Sequence, residues 1–109
     1  MAVIDQTLQE VVFRFDSRLA PQARSVILVG SFNRWDSSVH RLTRGADGWW
    51  TISLTLARGA YPYLLLIDGV PRTDPTEDER IRCEWGGDAS VRIVRPHRDS
   101  GAEGRRRAA

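Results

Sequence analysis

The sequence contains no lysine, and all sixteen of its basic residues are arginine. This excludes a Schiff-base mechanism, which needs an amine able to lose its proton, and any lysine contact to a ligand. Cysteine occurs once, as Cys83. There is therefore no internal disulfide framework, and a zinc site would lack most of its usual ligands. No apolar run approaches the roughly 20 residues of a membrane-spanning helix, so no membrane partner is expected. Histidine appears only as His40 and His97. The amino end lacks a basic start followed by an apolar block, because Asp5 and Glu10 interrupt its apolar residues. The expectation is a cytoplasmic protein without a secretory signal.

What is present suits one small core. The chain has 109 residues, enough for one compact domain and too few for two. Charge is unevenly placed. From Arg95 onward five arginines face two acids, a net +3, which leaves the body at −1. The basic character therefore belongs to the carboxy-terminal end and does not point to a nucleic-acid partner. Arg105 to Arg107 fall short of the ~5–6 like charges of a credible interaction tail. The expected organisation is one domain over residues 8–95, followed by a disordered basic tail over 96–109.

The body reads as short strands separated by turns. Leu8 to Phe15 is apolar and β-branched, and Ser25 to Gly30 is a continuous apolar run of the kind buried on both faces. A short alternating stretch lies near Val39 to Thr43, and Gly45 to Gly48 reads as a turn. From Trp50 to Leu56 apolar and polar residues alternate strictly, the pattern of a strand with one wet face. Asp68-Gly69 is a strong hairpin dipeptide after the Tyr61 to Ile67 strand. Within that strand Tyr61, Tyr63, Leu65 and Ile67 share one face, and Leu64 and Leu66 share the other. Arg72 to Glu84 reads as a polar loop, and Val91 to Val94 as a last strand. Some seven strands with regular turns predict an all-β, antiparallel immunoglobulin-like β-sandwich.

Catalytic constellations are scarce. Glycoside hydrolysis needs two carboxylates about 5–9.5 Å apart across a cleft. The acids Asp74, Glu77, Asp78 and Glu79 instead read as a solvated turn without calcium-loop spacing. A Ser/His/Asp or Cys/His arrangement would have to be built on His40, with no nucleophile motif nearby. The expectation is a non-enzyme that needs neither metal nor cofactor. Trp35 is more informative. A large flat ring placed in a polar stretch after a strand suits the apolar CH face of a pyranose. Covering ~100 Å² of it contributes about 2.5 kcal/mol before entropy costs.

Gly30 to Trp35 (GSFNRW), then Trp50, Gly59-Ala60-Tyr61-Pro62-Tyr63, Asp68-Gly69 and Asp74-Pro75 together resemble carbohydrate-binding module family 48. That family includes the glycogen-binding domain of the AMP-activated protein kinase β subunit and the early-set domain in front of isoamylases. The resemblance runs from about Val11 to Val94 and implies an early-set β-sandwich. It also implies binding of α-glucan, whether glycogen, maltooligosaccharide or cyclodextrin. Trp35 matches the family's stacking tryptophan. A second tryptophan platform is replaced by Pro71, a hydroxyl-binding lysine by Leu64, and a Thr/Asn pair by Gly87 and Ala89. Trp85 stands where the family has a leucine that packs inside the curved glucan.

The site implied is thus a reduced one: Trp35, Asn33, Arg34, Leu64, Arg72 and Trp85, with Tyr61 as a possible further ring. One lost ring and several lost hydrogen bonds, at about 2 and 1 kcal/mol each, lower affinity by two or more orders of magnitude. The alternative is a protein-interaction module. On that reading Leu64, Leu66, Pro71, Trp35 and Trp85 form an apolar patch for a second copy or for a separate glycogen-metabolising enzyme.

Overall fold

A computed structural model describes residues 8–83 and 86–95. The alternating segment forms the long strand β5 (Trp49–Leu56), paired antiparallel along its length with β1 (Gln9–Asp16). Its other edge carries the two-residue β4 (Thr43–Arg44). In β1 the residues Val11, Phe13 and Phe15 point inward; in β5 Trp50 and Leu56 do. The period of two in the sequence is therefore the period of burial.

The second sheet has β3 (His40–Arg41), β2 (Val26–Gly30), β6 (Gly59–Ile67), β9 (Asp88–Val94) and β8 (Arg80–Arg82) in that spatial order. The short β7 (Val70–Arg72) also pairs with β6. Every pairing is antiparallel. Val26, Leu28, Tyr63, Leu65 and Val94 from this sheet join the β1 and β5 residues in one core between the layers. The architecture is an all-β immunoglobulin-like early-set sandwich. Asp68 and Gly69 both adopt positive φ, 51° and 86°, and close the β6–β7 turn as the dipeptide predicts. Arg92 joins the layers at one side. It donates to the Val12 carbonyl at 3.0 Å and to Glu77 at 2.9 Å, and its guanidinium lies 4.5 Å from the Phe13 ring centroid.

Two expectations are corrected. The polar segment Arg72 to Glu84 contains the edge strand β8, and Asp74 is not part of a solvated turn. Asp74 is fully buried. It accepts hydrogen bonds from the Tyr63 hydroxyl at 2.5 Å and from the Thr76 N–H and hydroxyl at 2.8 and 2.7 Å. Burial first, and the bond to Asp74 second, push the Tyr63 phenol well above its ordinary value. It therefore stays protonated and donating.

The outer side of the six-stranded sheet is what positions the site. Side chains alternate along a strand, so Pro62, Leu64 and Leu66 of β6 face away from the main core. Val29, Leu64 and Ala89 form a second buried cluster there, with Ile27, Leu66 and Cys83 packed against it. A sandwich usually turns polar residues outward on such a face. This one turns apolar residues outward.

Candidate functional site

The site is built from the end of β2. Gly30 is extended, and a Cβ on it would lie 2.7 Å from both the Phe32 ring and the Pro62 carbonyl oxygen. Only glycine lets β2 pass this close to β6. Gly30→Ala should therefore destabilise the fold by about 1–3 kcal/mol, since the Pro62 backbone cannot yield cheaply; thermal denaturation measures it.

After Gly30 a single 3₁₀ turn, Ser31–Asn33, reverses the chain. Arg34 and Trp35 then both take left-handed backbone conformations, φ 58° and 59°. Two adjacent side-chain-bearing residues there cost of order 1–3 kcal/mol each. Hydrogen bonds hold the turn in place. The Asn33 amide oxygen accepts from Gly30 N–H at 3.0 Å, and its nitrogen donates to the Leu28 carbonyl at 3.0 Å. The same nitrogen meets His40 Nδ1 at 2.9 Å. Trp35 N–H donates to the Gly30 carbonyl at 2.9 Å, and Asp36 N–H to the Asn33 carbonyl at 3.1 Å. Next in the loop, the Ser38 hydroxyl and N–H hold Asp36 below the usual carboxylate range.

The result is an indole 40% exposed at the edge of an open groove of about 700 Å³. Besides Trp35, the groove is lined by Pro62, Leu64, Pro71, Ile81, Arg82 and Cys83. Among the described residues, Arg82 supplies the only formal charge in that lining, and it makes a loose 3.5 Å ion pair with Asp88. Pyranose CH faces and apolar side chains fit such a surface.

The predicted residues divide clearly. Trp35, Leu64 and Pro71 come together in the groove, with Leu64 forming its floor at 6% exposure. Asn33 holds the turn: both hydrogens of its amide nitrogen and one lone pair of its oxygen are engaged there, and it is absent from the groove lining. Arg34 is exposed beside the ring in sequence but does not line the groove. Arg72 is a correction. It pairs in register with Leu65, an inward residue, and its guanidinium lies 5.2 Å from the Phe15 ring centroid, on the other side of the sheet. Tyr61 also faces the core side, where its hydroxyl donates to the Ala57 carbonyl at 2.6 Å. Ala89 is buried beneath the groove face. Trp85, His97 and the segment 96–109 lie outside the described residues.

Sequence reasoning missed Pro62, Ile81, Arg82 and Cys83. Pro62 shares the parity of Leu64 and could have been found by it. Ile81 sits in a strand too short to show a period.

The chain matches, over residues 3–76, the family described as Carbohydrate-binding module 48 (Isoamylase N-terminal domain). It is also 40% identical over 53 residues to Protein FLOURY ENDOSPERM 6, chloroplastic, of Oryza sativa subsp. japonica. That stretch is 49% of this chain and 10% of the rice protein, so the chain spans about a tenth of that relative's length. The matched span takes in the turn that carries Trp35 as well as Leu64 and Pro71, the residues gathered in the groove. With a match over most of its length and the antiparallel early-set sandwich on which that match lies, the chain belongs to carbohydrate-binding module family 48.

Proposed function

We propose that this domain is a non-catalytic module that binds α-glucan of glycogen or starch type in the groove beneath Trp35. The observation that carries the reading is the strained turn. Two left-handed residues, clamped by Asn33, hold a large ring open at an apolar groove. Such strain persists only where the surrounding structure over-determines it, and it clusters at ligand-binding and active sites. Family membership supports carbohydrate as the ligand. Stacking on one ring, with Pro71 in place of a second, makes each site weak. A polymer presenting many glucose units offsets this when several modules act together. The purified domain should co-sediment with glycogen or be retarded on an amylose matrix, and millimolar β-cyclodextrin should release it. A folded domain that passes through unretarded at low salt contradicts the proposal.

A second reading has one observation in its favour: among the described residues the groove lining is mainly apolar, as protein interfaces often are at their centre. On this reading the face takes a second copy of the chain or a separate glycogen-metabolising enzyme. Leu64 is too buried to test it, so the substitution falls on Ile81, which is 42% exposed. If a homodimer forms here, light scattering should show a dimer that Ile81→Asp dissociates. A monomer at all concentrations leaves only a different partner.

A further inference from the structure

The Asn33 amide makes two backbone contacts that fix its orientation. Its oxygen takes the Gly30 N–H and its nitrogen donates to the Leu28 carbonyl, an arrangement the flipped amide cannot make. The second hydrogen on that nitrogen is therefore directed at His40 Nδ1, 2.9 Å away. This nitrogen must offer a lone pair, which neutral imidazole with its proton on Nε2 provides and imidazolium does not. We propose that His40 is a positioning residue for Trp35: neutral, it completes the clamp through Asn33, and protonated, it loosens the platform.

The route is short. Asn33 holds Gly30 N–H, and the Gly30 carbonyl holds Trp35 N–H. Arg34 and Trp35 are strained, so their conformation depends on these bonds. Protonation replaces an attractive contact by two N–H groups facing each other. The side chain is half-buried and packs against Phe32, ring centroids 6.2 Å apart, so protons reach it from solvent. The elements around it add little charge. Strand β2 (Val26–Gly30) and the turn Ser31–Asn33 contain no titratable side chain. Arg41, next on β3, is exposed. Tyr61 reaches Phe32 from β6 with its hydroxyl given to Ala57. Asp36, held ionised by Ser38, keeps its charge across the range where imidazole ordinarily titrates. Among the described residues no ion pair to His40 is present.

The inference rests on the glucan-binding proposal for its consequence, not for its test. In the ligand-free protein, the ring ¹⁵N shifts of His40 at pH 8 should mark Nδ1 as unprotonated. The indole N–H resonance of Trp35, assigned by its loss in Trp35→Phe, should move between pH 8 and pH 5 with the same midpoint as the ring. His40→Gln, which offers an acceptor that gains no proton, should abolish that movement; His40→Asn is the second choice should the first not fold. His97→Gln should leave it unchanged. Affinity for β-cyclodextrin should fall roughly 3- to 10-fold over the same interval, the loss of about one hydrogen bond. A protonated Nδ1 at pH 8, a flat Trp35 resonance, or titration that survives His40→Gln overturns the inference, whether or not glucan binds. Titration of the indole without glucan binding at any pH overturns only the proposed function.

Discussion

Asp74→Ala should cost about 3–5 kcal/mol of folding stability, a large share of the ~5–15 kcal/mol that holds an ordinary domain together. The side chain is fully buried and accepts from three donors: the Tyr63 hydroxyl, the Thr76 N–H and the Thr76 hydroxyl. Alanine strands the Tyr63 hydroxyl in the core, at about 1–3 kcal/mol for one unsatisfied donor, and leaves a cavity where the carboxylate stood. The Asp74 backbone N–H donates to Ser90 Oγ at 2.8 Å, so the same residue ties the segment after β7 to β9. That segment leads into β8, which supplies Ile81 and Arg82 to the groove. Asp74→Asn keeps one acceptor and should lose about half as much. Urea unfolding measures both. A cost below about 1 kcal/mol for the alanine variant would mean that the segment does not depend on this network.

Trp35→Ala should lower glucan affinity by about 50- to 100-fold while changing stability by less than about 1 kcal/mol. The asymmetry follows from where the ring sits. It is absent from both buried clusters, and its exposed face is turned to the groove. Removing it takes away about 100 Å² of apolar contact with a pyranose, worth about 2.5 kcal/mol. Since the left-handed backbone is held by Asn33 and Gly30 and not by the indole, the turn should survive. Calorimetric titration with maltoheptaose checks the affinity, and thermal denaturation checks the fold. Equal affinity in the two proteins would move the site elsewhere.

Much of the fold was legible because it rests on local pattern. The alternation in Trp50 to Leu56, the Asp68-Gly69 turn and the two-faced burial of β2 each depend on residues next to one another. The parity of β6 correctly separated Leu64 and Leu66 from the core face. The misplacement of Arg72 was avoidable. A two-residue turn at Asp68-Gly69 sets Ile67 opposite Val70 and so Leu65 opposite Arg72, on the inward side. Asp74 was a different matter. Its burial depends on Tyr63 and Ser90, eleven and sixteen residues away, and an acidic run looks the same in sequence whether solvent or a phenol faces it. Nor could the role of Asn33 be seen beforehand. The motif marks it for a sugar contact, whereas the hydrogen bonds it makes in the structure hold the turn that presents Trp35.

The most direct measurement follows the indole N–H resonances of the four tryptophans as β-cyclodextrin is added. The account predicts that the signal of Trp35 shifts most and saturates at millimolar ligand, while that of Trp50, buried in the core, stays in place. No movement at Trp35, with the domain folded and the ligand in excess, would contradict it.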